Sequence, residues 1–154
     1  MLKHLIIAAT LALVLLPAGG CANRPTLFAN PDPNLRKTRD ELAADASTRF
    51  PFKEHLPQAK EVKARAEAAY LLNRLEVVNF TGQDWTNVEI WVNRQYVCFV
   101  PVMEDRKLKE IHFPMLYDGA GRHFPMDNRQ VRVEKVEILR DGTLYEIVCK
   151  PADL

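Results

Sequence analysis

Side chains that could act as nucleophiles are few in this sequence of 154 residues. Ser47 is the only serine, which argues against a serine hydrolase. Cys98 and Cys149 lie inside apolar runs, where a thiol is usually inert rather than reactive. The sequence also lacks a glycine-rich phosphate loop and a paired-cysteine metal motif. We therefore predict that the protein is not an enzyme and that it uses no cofactor.

Two histidines flank a predicted turn and are the residues to consider as metal ligands. His112 and His123 lie on either side of Asp118-Gly119-Ala120-Gly121. A hairpin there would bring them together, with Asp118 or Asp127 as a further ligand. The spacing is generic, and the turn lacks the acidic repeats of a calcium loop. Ordinary histidines on a strand surface explain the pattern equally well, so we predict no metal site.

Large aromatic side chains offer a candidate binding face. Aliphatic residues alternate with other types over 88–92, so Trp91 lies on the face opposite the predicted core. An exposed Trp91 beside Tyr96 would stack a sugar or anchor a partner protein. The alternative is that the segment 58–72 packs over Trp91 and hides it. The sequence leaves both possibilities open.

The first twenty residues have the layout of an export signal. Lys3 and His4 give a basic start, Leu5–Leu16 is a nearly unbroken apolar run, and small residues follow up to Gly20. A run of twelve residues is too short for a membrane-spanning helix, which needs about 20 apolar residues. We interpret residues 1–20 as a signal peptide that is not part of the folded domain.

The segment Ala18-Gly19-Gly20-Cys21 resembles the lipobox of bacterial lipoproteins, with alanine where leucine is commonest. The resemblance covers residues 1–21. It implies that Cys21 is acylated on its sulfur with a chain such as palmitate, that the signal is cut before it, and that the new N-terminus receives another acyl chain. The alternative is ordinary cleavage that leaves a lone Cys21 thiol, a liability in an oxidising compartment.

An acylated Cys21 would attach the protein to a lipid bilayer without spanning it. One acyl chain holds a protein marginally, whereas two make the attachment stable, at about 0.8 kcal/mol per buried methylene. By the same resemblance, Ala22 after the cysteine is compatible with an outer membrane, if the host has one. We expect a lipid-anchored protein of the cell envelope, with its folded part in the periplasm or outside.

The charge of the chain argues against nucleic acid as a partner. Lysine and arginine number 21 and aspartate and glutamate 20, which gives a formal net charge of +1. Nucleic-acid-binding domains are strongly basic on at least one face. We therefore predict no nucleic-acid partner.

Cys98 and Cys149 remain once Cys21 is assigned to the anchor. An even number of cysteines in an exported chain favours a disulfide. Each of the two is equally compatible with a buried apolar role in the core. The Cys98–Cys149 bridge is therefore a candidate disulfide.

We interpret residues 21–50 as the lipidated N-terminus and a linker that contains several prolines. Its last part, Thr38–Phe50, predicts a short helix capped at Thr38 and ended by Pro51. Residues 51–74 fit two templates. Ala, Lys, Glu and Arg favour a helix after Pro57 to about Ala66, whereas alternation through Tyr70 favours a first strand.

Residues 75–154 carry short apolar runs separated by turn residues, and Asp141-Gly142 is the strongest hairpin signal among them. The pattern predicts a mainly β fold, a small antiparallel immunoglobulin-like sandwich. The phrase VVNFTGQDWTNVEIWVN resembles segments of uncharacterised bacterial lipoproteins with an immunoglobulin-like or fibronectin-like sandwich. That resemblance implies a fold and carries no catalytic motif.

We therefore expect a non-enzymatic, membrane-anchored lipoprotein, acting as a structural or protein-interaction module of the cell envelope. The alternative is a carbohydrate- or peptidoglycan-binding module that uses Trp91 and Tyr96. Both readings place the partner, a protein or a glycan, in the envelope.

Overall fold

A computed structural model describes residues 33–126 and 130–151. Cys21, the predicted signal peptide and most of the predicted linker lie outside these residues. The described elements are α1 (Arg39–Arg49), β1 (Gln58–Ala69), β2 (Arg74–Asn79), β3 (Trp85–Val92), β4 (Tyr96–Met103), β5 (Leu108–His112), β6 (Val136–Arg140) and β7 (Thr143–Pro151). Short 3-10 turns occupy Pro33–Arg36, Tyr70–Leu72 and Phe113–Met115.

The strands form one seven-stranded sheet in the order β4-β3-β6-β7-β1-β2-β5. This confirms the predicted mainly β class. The sheet differs from the prediction in one respect, because β1 runs parallel to β7 while the other neighbours are antiparallel. The sheet is therefore mixed. Its β1 strand has hydrogen-bonded neighbours on both sides, β7 and β2.

Of the two templates for residues 51–74, the helix after Pro57 to about Ala66 is wrong and the first strand is confirmed, because this segment is the long strand β1. Ala64, Ala66 and Ala68 are buried, while Arg65 and Glu67 between them are exposed. Pairing with strands on both sides satisfies the backbone and outweighs the helix preference of alanine and lysine, which amounts to less than about 1 kcal/mol per residue. The folded sheet therefore begins before residue 75, where we placed the start of the β domain.

One face of the sheet, the inner face, supplies the core. Register partners place Ile90 of β3, Ile138 of β6, and Leu75 and Val77 of β2 on this face, and all are buried in one cluster. Tyr96 of β4 and Phe113, which follows β5, both pack on Phe124, so the two edges of the sheet curve toward a shared core.

The predicted short helix is confirmed as α1. Thr38 is its N-cap and forms a capping box with Glu41, and Phe50 ends the helix just before Pro51. Leu42 and Ala46 are buried where α1 packs on β4. This part of the predicted linker therefore belongs to the fold.

Two tight turns connect neighbouring strands. Asn93 and Arg94 both have positive φ, 52° and 57°, as a type I′ hairpin requires. Asp141 and Gly142, the predicted hairpin signal, likewise have φ of 48° and 72°. The twist of these turns matches the twist of the strands they join.

Residues 131–135 form no strand, and β6 begins only at Val136. The preceding segment is held by a side chain instead. Asn93 Oδ1 accepts hydrogen bonds from the backbone N–H groups of Glu134 and Lys135, at 2.8 and 3.1 Å. An irregular segment with its N–H groups bonded in this way needs no ladder partner.

Candidate functional site

Trp91 and Tyr96 do not form the predicted binding face, because both are buried, at 1% and 7% exposure. Trp91 packs edge-on against Phe50 and Phe52, with ring centroids 5.0 and 5.1 Å apart. Tyr96 instead faces the core and contacts Phe124 at 5.1 Å. The two side chains therefore point to opposite faces of the sheet. Trp91 is hidden, as the alternative held, but by the segment after α1 and not by 58–72.

We call the face that carries Trp91 the outer face. The buried carboxylate of Glu89 on this face binds the segment that covers Trp91. Glu89 accepts hydrogen bonds from Lys53 at 3.0 Å, from Arg49 at 3.3 Å and from the indole N–H of Trp91 at 3.0 Å. The guanidinium of Arg49 also lies 4.1 Å from the ring centre of Phe99. Charge pairing and aromatic packing therefore close this half of the outer face.

A second buried carboxylate, Glu137, lies beside the first on the outer face. Arg94 donates two hydrogen bonds to it, at 2.9 and 3.0 Å, and Lys135 lies 3.1 Å away. Lys135 also pairs with Glu146 at 2.7 Å. The hydrogen bond to Glu137 raises the pKa of Arg94, and the bond from Lys135 lowers the pKa of Glu146. These charged groups pair with one another within the fold.

The other half of the outer face is open. It belongs to β7, β1, β2 and β5, where a groove of about 560 Å³ lies between side chains. We call it the outer groove. Its lining includes Val62, Arg65, Val78, Phe80, Leu108 and Val148.

Strand register arranges the groove in rows. Leu108, Val78, Arg65 and Val148 are consecutive partners across the four strands. The neighbouring row along the same strands is charged and consists of Glu110, Glu76, Glu67 and Lys150. An apolar row with one arginine therefore lies beside a mainly acidic row.

The apolar side chains of the groove are unusually exposed for the outer face of a sheet. Val62 is 79% exposed, Val148 56%, Leu108 50% and Phe80 44%. Outward positions of a sandwich are normally polar, and clustered apolar groups there mark interaction surfaces. On the covered half of the same face, by contrast, Trp91 packs under Phe50 and Phe52. The outer groove is thus the best candidate for a functional site.

The charges of the groove fall into two classes. Glu76 and Glu110 are both paired with Arg74, at 2.5 and 2.7 Å. By contrast, Arg65 and Glu67 have no oppositely charged partner within the described part of the chain, although the Arg65 guanidinium lies 5.8 Å from the ring centre of Phe80. Two exposed charges of opposite sign are therefore available to a partner.

The prediction of a disulfide between Cys98 and Cys149 is wrong: the structure places no bond between these two described residues. Strands β3 and β6 separate their strands, a distance of about 14 Å, whereas a disulfide needs Cα atoms within about 7 Å. Burial, with a smaller contribution from Glu67, raises the pKa of the Cys149 thiol to about 11. Cys149 is therefore a protonated, partly buried core thiol.

Two of the candidate metal ligands, Asp118 and His123, make other contacts. Asp118 accepts hydrogen bonds from the backbone of Ala120 and from Arg122, at 2.8 to 3.0 Å. His123 Nδ1 lies 2.9 Å from the carbonyl oxygen of Phe124. Among residues 33–126 and 130–151 no cluster of three or more potential ligands is found. Asp127 lies outside these ranges.

The outer groove was not among the sites predicted from the sequence. Val78, Phe80 and Val148 lie in the short apolar runs of residues 75–154, which predict strands but do not show which side of a strand stays exposed. The available signal was apolar residues on both faces of a strand, as in Val77-Val78, which the burial of only one face does not require.

Comparison with known proteins gives no match. No protein family, no curated protein and no solved structure matches the sequence. Within the described residues, no helix is long and apolar enough to cross a bilayer.

Proposed function

We propose that the protein is a membrane-anchored, non-enzymatic lipoprotein that serves as a protein-interaction module of the cell envelope, with the outer groove as its docking surface. The observation that carries the docking role is the row of exposed apolar side chains with the charges of Arg65 and Glu67, which have no oppositely charged partner among the described residues. Aromatic, aliphatic and arginine side chains together are typical of the centre of protein interfaces.

The anchor rests on the sequence. The export signal, the small residues before Cys21 and the proline-containing segment after it support acylation at that position. Such an anchor would hold the domain at a membrane surface. The groove would then meet partners that share that membrane or the space beside it.

The carbohydrate-binding alternative has lost its basis. It depended on Trp91 and Tyr96 as an exposed stacking platform, and both are buried on opposite faces of the sheet. Phe80 is the one aromatic residue of the groove, and its ring already lies near Arg65.

Acylation is tested by feeding cells a fatty-acid analogue and detecting it on the full-length protein. We expect labelling of the wild type and none of Cys21→Ser. An unlabelled wild type would remove the anchor from the proposal.

Docking is tested by crosslinking in intact membranes followed by purification of the tagged full chain. Val148→Glu places a charge in the apolar row and should abolish the crosslinked products. Val102→Glu is the matched control, because Val102 is similarly exposed, at 47% against 56%, but lies on β4 outside the groove. Equal products from both variants would contradict docking through the groove.

A further inference from the structure

We infer that the outer groove binds a second copy of this chain. This inference rests on the proposed function only in taking the groove as a protein-docking surface. The second copy is favoured over other occupants because Arg65 and Glu67, which have no oppositely charged partner among the described residues, complement each other between two copies. A surface that carries both members of a charge pair can satisfy them through a twofold axis.

Strand β1 carries the two charges that the second copy would pair. Arg65 and Glu67 lie on the same side of the strand, with Ala66 between them, and both are exposed. Consider two copies whose outer faces meet, with a twofold axis that lies between the faces and crosses β1 at Ala66 at right angles to the strands. This axis brings Arg65 of one copy opposite Glu67 of the other, and Glu67 of the first opposite Arg65 of the second. Each charge that lacks a partner in the described chain thereby acquires one.

The same axis extends to the neighbouring strands. Register pairs Ala66 with Val77 of β2 and with Cys149 of β7. The axis therefore places Phe80 opposite Arg74, and it places Val148 opposite Lys150.

Both of these contacts are favourable. A guanidinium stacks on an aromatic ring, and the aliphatic stem of a lysine covers a valine while its charge stays in water. One axis thus provides partners for Arg65, Glu67, Phe80 and Val148 together. It also places Val78 opposite Glu76 and Leu108 opposite Glu110, whose carboxylates stay paired with Arg74 of their own copy.

The area of the interface sets how strongly the two copies associate. Four strands about 4.8 Å apart and six residue steps along them give a face of about 400 Å² in projection. Stable interfaces bury about 800 Å² per partner, so the pair is weak in free solution. Two copies held on one membrane meet at a far higher effective concentration. Self-association is therefore expected at the membrane, where the anchor would hold the protein.

Charge reversal tests the axis. Two differently tagged full-length copies are co-expressed in bacterial cells and crosslinked in intact membranes, and one tag is then used to recover the other. With Arg65→Glu in both copies, or Glu67→Arg in both, like charges meet and recovery should fall about tenfold or more. When one copy carries Arg65→Glu and the other Glu67→Arg, opposite charges meet again at both positions. Recovery should return to the wild-type level.

The mixed pair makes the test specific to self-association, because no other occupant of the groove would restore it. Recovery unchanged by either single reversal, or left low in the mixed pair, would overturn the inference. Protease resistance of each variant checks folding. If the mixed pair fails while Val148→Glu still removes other crosslinked proteins, the groove binds a different protein and the proposed function stands. If Cys21 is not acylated but the mixed pair recovers, self-association stands without the anchor.

Discussion

At the scale of single residues, Trp91 is the clearest case of a side chain whose role depends on its cover. The ring lies on the outer face but is 1% exposed beneath Phe50 and Phe52, and its N–H donates to Glu89. Periodicity correctly placed Trp91 opposite the core. It could not show which distant segment covers it, because the covering residues pack there through tertiary contacts.

Trp91→Ala should therefore destabilise the fold rather than weaken binding. Removing a fully buried aromatic ring costs about 3 to 5 kcal/mol, and Glu89 loses one of its donors here as well. Urea denaturation of the full chain measures the change. Phe80→Ala is the control, since Phe80 is 44% exposed and should cost far less. Similar losses for the two variants would contradict the burial of Trp91.

Cys149 offers a chemical test of its environment. Its thiol has a pKa raised to about 11, chiefly by burial, so the reactive thiolate is scarce at neutral pH. Alkylation by iodoacetamide should be slow at pH 7.5 and should accelerate about tenfold per pH unit up to the region of the pKa. Mass spectrometry of the modified peptide follows the rate. A rate that levels off below pH 9 would show that the thiol is not shielded as described.

At the scale of elements, the sequence was informative where local chemistry determines structure. The helix cap at Thr38, the end of α1 near Pro51 and the Asp141-Gly142 hairpin were all predicted from short-range patterns. The β1 strand was only one of two possibilities, because its alternation fits a strand while its alanines and charged residues suit a helix. Its state is decided by two neighbouring strands that are distant in sequence.

The hairpin between β3 and β4 combines a strained residue with a strong ion pair. Arg94 has φ of 57°, a conformation that costs a side chain about 1 kcal/mol or more, and it binds Glu137 through two hydrogen bonds. Arg94→Ala keeps the strain and loses the bonds, whereas Arg94→Gly loses both. We expect both variants to be less stable than the wild type, and the glycine variant to exceed the alanine variant by about 1 kcal/mol. Chemical denaturation compares them, and an alanine variant as stable as the glycine variant would contradict the strain.

The Asp118 turn predicts a dependence of stability on pH. Burial alone would raise the pKa of Asp118, but hydrogen bonds from Arg122 and Ala120 outweigh it and lower the pKa. With a lowered pKa, the unfolded chain takes up the proton first as the pH falls. The contribution of Asp118 is therefore complete above the unfolded pKa, about 4, and is lost as the pH falls through the folded pKa.

Asp118→Asn should flatten this dependence. The free energy of unfolding of the wild type should fall more steeply than that of the variant below about pH 4. Urea titrations at a series of pH values measure both slopes. Parallel slopes would mean that Asp118 does not titrate differently in the folded and unfolded chains.

At the scale of the whole molecule, the two halves of the outer face differ in whether the chain covers them. Its half around Trp91 is covered by α1 and the residues that follow, whereas the half around Val78 is left as a groove. Both halves carry apolar side chains, so composition and periodicity do not distinguish them. The mainly β class was predictable from alternating runs, but the site depends on which half the chain covers with its own residues.

This division predicts where the chain can be shortened. A chain that begins at Pro33 keeps α1, Phe50 and Phe52 and should unfold in urea at the midpoint of the full protein. A chain that begins at His55 loses this cover together with both cations that pair with Glu89. It leaves Trp91 exposed and a carboxylate without its partners, and we expect it to lose about 3 kcal/mol or more. If the shorter chain kept the same midpoint, the cover would be a dispensable attachment and Trp91 would again be a candidate binding residue.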